Sequence, residues 1–393
     1  MTPKDRMLKA LAGKACDELA AAPIYLSLFL EDFERAYYIE TYRHRMRGLA
    51  VYAVDHVEDT RFRAEALYQS YGIFKTRPDY MDLRQGPTRA WAERTEIVLK
   101  QGILYYRDRE TGAKTAMDGV PLPCGDSEQQ PDAHADLWDD LSMVMDEDEV
   151  HRQLPVFDAG TLLKRGDFDL PRQVVADYGD RYYLSTIVST PYMASYSLLG
   201  FQGLMLIQHD FPHLFHVILR RKVAQLKPVI DAWAAIGIHG IFAEEVWSGA
   251  DVISLESYED FVFPYNQDLF HHVSAAGLHT IHYVCGDVMP RVQRIAELDV
   301  SAIAVEESKK NFRIDIENVV ERIGARTAVF GNIDAVKYGI QAAADEITAE
   351  VQRQVRAGLR AKGFVVSTGS PFPLDTNPRR IDTLVAAAHA ESR

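Results

Sequence analysis

The sequence predicts an α/β protein built as a (β/α)8 TIM barrel with an inserted hairpin or lid region. Two observations carry that prediction. From about residue 170, short apolar segments alternate with longer amphipathic ones, the pattern of βαβ units around a parallel sheet. These apolar segments also end in polar, aromatic and ionisable residues, as barrel strands do where they open onto a functional face. A chain of 393 residues suffices for one such barrel with insertions.

Residues 3–13 place Met7, Leu8 and Leu11 at helical spacing behind Thr2 and Pro3, an N-cap and first-turn pair. Residues 22–29 (A-P-I-Y-L-S-L-F) read as the first strand and 31–50 as a helix. Residues 51–75 carry a β-like start and then helical spacing from Arg61 to Tyr71. The region 80–160 reads as the insertion, with a β-hairpin around Gly112 and an acidic polar stretch at 125–148. Beyond it, strands are expected at 182–187, 237–244, 278–285, 302–306, 328–332 and 364–368. Helices are expected at 209–236, 257–276, 288–297, 313–323 and 343–361.

Composition narrows the function. Hydrophobic residues make up 47% of the chain, a globular composition with ample core. A net charge of −14 leaves no basic stripe for nucleic acid. Three widely spaced cysteines, Cys16, Cys124 and Cys285, do not suggest a disulfide framework, and a reducing, cytoplasmic compartment is expected. No apolar run reaches the length of a bilayer span, so no membrane association is expected.

The strand ends gather the candidate site residues. The stretch T-I-H-Y-V-C-G-D at 280–287 brings His282, Tyr283, Cys285 and Asp287. Other ends bring Tyr25 and Phe29, Tyr192, Glu244 with Glu245 and then Trp247, Glu306 with Glu307 followed by Lys309 and Lys310, Asp334, and Ser370. Several carboxylates on one apolar rim are costly unless paired, hydrogen-bonded or bound to a cation. Strand alternation sends one of Glu244 and Glu245 inward, and Glu245 is taken as the candidate. Each residue has a plainer role available. His282 fits a hydrogen-bonded core histidine, Cys285 a small buried hydrophobe, and Asp334 a helix cap.

Six segments in register resemble the uroporphyrinogen decarboxylase superfamily, which includes the decarboxylase and corrinoid- and thiol-dependent methyltransferases. They are T-P-K-D-R-M-L-K-A-L-A-G-K at the start, T-P-Y-M-A-S-Y-S-L-L-G-F at 190–201, Y-E-D-F-V-F-P-Y-N-Q-D-L at 258–269, Y-V-C-G-D at 283–287, F-G-N-I-D at 330–334 and T-G-S-P-F-P-L-D-T at 368–376. The resemblance spans the chain except 80–160 and implies one barrel domain of that type, with a homodimer among its expectations. Two departures stand out. The decarboxylase's arginine-rich first-strand block is replaced by Y-L-S-L-F, and its C-terminal histidine falls on Ser370. The family's zinc methyltransferases use H-x-C with a distant Cys. Here Cys285 matches, Tyr283 stands at the His position and Ser370 at the third. Zinc is therefore a candidate cofactor only through His282 and Cys285 with Glu245 or Glu306.

The resemblance implies a one-carbon transferase that moves a methyl group from a small methylated substrate to a corrinoid (cobalamin) carried by a partner protein. In this expectation Glu306, Asp334 or Glu245 handles the proton and Lys309 tunes it. Tyr25, Phe29, Tyr192, Trp247, Tyr283, Asp287 and Ser370 line the substrate. Acidic and aromatic side chains together favour a cationic donor. Two alternatives stand beside it. One is a decarboxylase acting on a non-porphyrin acid, gripped by Lys309 or Lys310; the other is a non-catalytic small-molecule-binding barrel.

Overall fold

The computed structural model describes residues 1–47, 54–117, 146–309 and 311–393. Its frame is a curled parallel sheet of seven strands: β1 (Tyr80–Leu83), β5 (Tyr183–Ser189), β6 (Gly240–Glu245), β7 (His279–Val284), β8 (Ala302–Val305), β9 (Ala328–Phe330) and β10 (Gly363–Val365). The spatial order follows the sequence order, as it must when each strand is joined to the next through a helix packed on the outside. The strands are almost wholly buried on both faces, which explains their continuous apolar runs. The fold is TIM-barrel-like.

The eighth place is filled by a short segment. Residues 20–22 lie between β10 and β1, with Ala21 bridged in parallel to Val366. The Val366 amide donates to Ala20 O, the Ala22 amide to Val366 O, and the Asp79 amide to Ala21 O, each at 2.9 Å. The remaining donor, the Ala21 amide, goes to the Asp79 carboxylate at 2.7 Å. That carboxylate is fully buried and also receives Arg6 Nε at 2.7 Å and contacts His389 Nε2 at 2.9 Å. The expected first strand at 22–29 is corrected accordingly. Its pairing stops at Ala22, Tyr25 adopts a left-handed backbone (φ 51°), and Leu26–Arg45 is a helix. The apolar run was long enough for a strand, but it is the buried face of that helix.

The N-terminal helix Pro3–Leu11 forms as expected. Thr2 and Asp5 exchange side-chain and backbone hydrogen bonds in a capping box. The segment expected to be an insertion from residue 80 begins later, because Tyr80–Leu83 is a barrel strand. Beyond it lies a separate antiparallel sheet, β2 (Thr95–Lys100), β3 (Ile103–Asp108) and β4 (Lys114–Ala116). The expected hairpin turn is there, with Gly112 at φ 72° and Asp108 Oδ1 accepting the Glu110 and Thr111 amides at 2.8 Å. Its inner face packs Ile97, Leu104 and Met117 against Tyr38, Tyr42 and Phe62 of the helices Leu26–Arg45 and His56–Ser70. The acidic stretch, most of which falls in 118–145, lies outside the described residues, as do Cys124, Lys310 and the β-like start at 51–53. Among the described residues Cys16 and Cys285 are free, and no helix is long and apolar enough to cross a membrane.

The expected helix at 209–236 is Pro212–Ile236, preceded by a second long helix, Pro191–Asp210. The latter is broken at Gly200, whose φ of 64° and ψ of 178° are open to glycine almost alone. Helices Leu255–Phe261, Phe263–Ala275, Ile316–Ile323 and Ala344–Gly358 cover the remaining strands.

Candidate active site

Register decides which side chains meet inside the barrel. On β6, Phe242 points inward and packs against Tyr25 at 5.5 Å and Tyr283 at 5.5 Å, while Tyr25 and Tyr283 are 5.6 Å apart. The three rings form a floor across the barrel. Two residues beyond Phe242 on the same face comes Glu244, paired in register with Tyr283; two beyond Tyr283 comes Cys285. From β8 the chain delivers Glu306, whose Oε2 accepts the Gly286 amide at 2.8 Å. From β1 comes Asp82, in register with Ser185 and almost completely buried.

The electrostatics of this mouth point one way. Burial pushes the Tyr25 phenol far up, and the adjacent Glu244 carboxylate adds to it. Burial, then Cys285 and Glu306, does the same to Tyr283. Burial, with Glu306 and Glu244, holds the Cys285 thiol protonated. Asp82 is raised to about 6 by burial, partly offset by the Ser27 amide and Tyr80. Burial also raises Glu306, against the pull of Gly286 and Lys309. Every one of these groups is driven toward its neutral, protonated state.

Beside Glu306 lies a clamp between the ends of β8 and β10. Lys309 Nζ donates to Glu307 Oε1 at 2.5 Å and to Ser370 Oγ at 3.0 Å, and lies 3.8 Å from Glu306 Oε1. Ser370 Oγ in turn donates to the Glu307 carboxylate at 2.7–2.8 Å. Burial would lower the Lys309 ammonium, but the hydrogen bond and charge of Glu307, with Glu306 and Asp334, hold it above its ordinary value. Gly369 makes this closeness feasible, since a Cβ there would stand 2.2 Å from the Glu307 amide nitrogen. Its carbonyl accepts the Tyr283 hydroxyl at 2.8 Å.

The structure thus gathers Tyr25, Tyr283, Cys285, Glu306, Lys309 and Ser370, with Asp334 acting electrostatically on Lys309 from the rim. Asp334 also caps the following turn, accepting the Lys337 amide at 2.8 Å. Asp287 sits in the loop after β7, where its amide donates to Asp251 Oδ1 at 2.7 Å and its carboxylate accepts Met289 N. Trp247 lies after β6 between Tyr196 at 5.7 Å and Phe201 at 5.0 Å.

Four candidates lie elsewhere. Glu245 is in register with Val284 and faces outward, fully buried, with Thr190 Oγ1 donating to it. Tyr192 lies behind the same wall, accepting from Gln208 Nε2 at 3.0 Å. Phe29 packs on Phe33 and Phe74 in the helical layer. His282 also faces out of the barrel, its Nδ1 3.2 Å from Ala243 O and its ring 5.0 Å from Phe270; burial lowers it to about 4 and keeps it neutral. One residue of register separates each of Glu245 and His282 from the inward positions, which belong to Glu244 and to Tyr283 and Cys285.

Sequence reasoning missed Asp82, because the insertion was drawn over its strand. The usable signal was the short run Y-M-D-L between Pro78 and Gly86, four residues with strand character and one acid.

A family model described as uroporphyrinogen decarboxylase (URO-D) matches residues 128–391. The chain belongs to the uroporphyrinogen decarboxylase family. Curated relatives include the uroporphyrinogen decarboxylase of Rhodococcus opacus, 27% identical over 189 residues that cover 47% of this chain and 50% of that protein. That of Saccharopolyspora erythraea is 27% identical over 199 residues, covering 47% and 51%. The chain thus spans about half the length of the curated relatives it matches. Among solved structures, a methyltransferase from Methanosarcina mazei superposes with a TM-score of 0.62 at 17% identity, covering 99% of this chain and 98% of that one. That likeness is one of fold.

The zinc triad of the family's metal-dependent methyltransferases is not reproduced in these side chains. His282 and Cys285 lie on opposite faces of β7, and Ser370 is committed to Glu307 and Lys309. Among the described residues, no three His, Cys, Asp or Glu side chains converge as a metal centre. The residues present do not fit that ion.

Proposed function

We propose that the chain is a one-carbon transferase that takes a methyl group from a small substrate bound at the barrel mouth. The observation that carries this reading is the juxtaposition of a ring floor (Tyr25, Phe242, Tyr283) with a half-buried carboxylate, Glu306, raised in pKa and flanked by Lys309. An apolar floor accepts a methyl group, and an acid poised above the usual carboxylate range can protonate the heteroatom that the methyl leaves. Lys309 keeps Glu306 from rising further, and so keeps its proton available for transfer. The Cys285 thiol, held protonated, lines the site. A corrinoid on a partner protein would supply the acceptor for the methyl group. The fold shared with the Methanosarcina mazei methyltransferase supports this reading.

The test is to offer the protein a panel of methylated compounds with a reduced cobalamin acceptor and follow methylation of the acceptor by absorbance. Transfer from at least one donor, lost in Glu306→Gln, is expected. Absence of transfer with every donor sinks the reading.

A second reading is decarboxylation, favoured by the names of the curated relatives and by Asp82. A buried carboxyl with a pKa of about 6 can protonate a carbanion formed as carbon dioxide leaves. It requires a cation for the departing carboxylate, and Lys309, 3.8 Å from Glu306, is the candidate. Carbon dioxide release abolished by Lys309→Ala would favour it over methyl transfer.

A further inference from the structure

The mouth has a charge problem that its own side chains do not solve. Asp82, Glu244 and Glu306 converge on one apolar floor, and the cations near them are already engaged. Lys309 is tied to Glu307 and Ser370. Arg84 donates to Glu34 at 3.3 Å and lies 3.7 Å from Glu31. Two buried polar atoms of this cluster lack partners of good geometry. These are the Tyr25 hydroxyl, on a residue 8% exposed, and Asp82 Oδ2, on a residue 3% exposed. Tyr25 is moreover one of two described non-glycine residues with positive φ, an unfavourable backbone state that turns its ring onto the floor. Strain, a hydroxyl without a well-aligned partner and three carboxyl groups short of counter-charge coincide at one point.

We propose that the mouth binds an organic cation, a methylated ammonium group seated on the rings of Tyr25, Phe242 and Tyr283 among Asp82, Glu244 and Glu306. Ring faces attract such a group through their quadrupole, and its methyls suit an apolar floor that a bare metal ion would not. The carboxylates supply the opposite charge at a distance set by the methyl shell, without direct coordination. The ring set differs from the one the sequence suggested: Phe242 joins Tyr25 and Tyr283, whereas Phe29 and Tyr192 stand elsewhere. An anionic substrate meets repulsion from each of these carboxyl groups that is ionised. This inference rests on the mouth being the substrate site and names the charge class of that substrate.

Choline and 3,3-dimethylbutan-1-ol share one shape and differ in charge, so they isolate the effect. Calorimetric titration of the intact protein with each, and with acetate, is expected to show choline binding at least about ten-fold more tightly than the neutral alcohol. Glu244→Gln is expected to remove about ten-fold of that preference, and Tyr25→Leu to weaken choline more than the alcohol. Glu306→Gln provides a second carboxylate variant should Glu244→Gln fail to fold. Equal affinity for the two probes, tighter binding of acetate, or choline affinity unchanged in both carboxylate variants overturns the proposal. The readout needs no turnover, so the two readings fail separately. Methyl transfer from a neutral donor without choline binding defeats only the cation. Choline binding without transfer from any donor defeats only the transferase.

Discussion

Glu244 and Glu245 are adjacent on β6 and face opposite sides of the barrel wall, Glu244 toward Tyr25 and Glu245 toward Thr190. The inner one can meet a substrate. The outer one is sealed, with no exposed surface.

That sealing predicts a pH-dependent stability. Burial raises Glu245 from 4.5 to about 7, against the hydrogen bond from Thr190. A raised carboxyl means the folded state binds the proton more tightly than the unfolded chain. Its contribution is therefore full below about 4.5 and is lost as pH rises through about 7. Glu245→Gln is expected to stabilise the protein at pH 8, by on the order of 3 kcal/mol at most, and to change little at pH 4. Urea denaturation at the two pH values reads the difference, and an equal effect at both would contradict it.

Lys309 makes the complementary prediction for the acid. Lys309→Met removes the cation that lowers Glu306, so the Glu306 pKa rises further. The alkaline limb of the pH–rate profile, where Glu306 loses its proton, should move up by about one unit. A limb that stays in place would take Glu306 out of the chemistry.

Gly369→Ala tests the clamp through the backbone. The added Cβ meets the Glu307 amide nitrogen at 2.2 Å and its Oε2 at 2.5 Å, so the end of β8 or β10 must move. The variant should fold with about 1–3 kcal/mol less stability. Its turnover should fall by at least about ten-fold, because Glu306, Ser370 and the Tyr283 acceptor shift together. Near-normal turnover would show that the clamp does not position the acid.

Asp79→Ala should be far more damaging than its position suggests. It takes the acceptor from Arg6 Nε, whose guanidinium keeps Glu18, and from the Ala21 amide, a loss of about 2–4 kcal/mol. Asp79→Asn keeps an acceptor for Ala21 and should lose clearly less. Urea midpoints for the two variants give the comparison.

Much of the barrel was legible because its strands are short apolar runs between turn residues, and β5 to β10 fall within a few residues of their expected spans. The two misread strands are the least regular. Residues 20–22 pair too briefly to show alternation, and the apolar run after them is a helix face. Tyr80–Leu83 has four residues and stands where the composition begins to change. At the site, the strand ends were legible from the sequence while the faces that Glu245 and His282 take were not. Parity along a strand could have settled it: Phe242 is a natural core ring, Glu244 shares its parity, and Glu245 does not. Lys309 with Ser370 lay beyond any sequence argument, since their meeting depends on how two loops 61 residues apart approach each other.

The way the ring is sealed has a consequence for how the chain is made. Asp79 ties the first helix and the segment 20–22 to His389, 310 positions further on. A sheet built strand by strand from β1 therefore carries two open edges until residue 366 has been synthesised, and this fastener is complete only with the helix Pro378–His389. Such contacts are slow to form, and unpaired parallel edges invite pairing with other chains. The growing chain is thus exposed to aggregation until that segment has emerged, and shielding by chaperones matters most just before the ring closes.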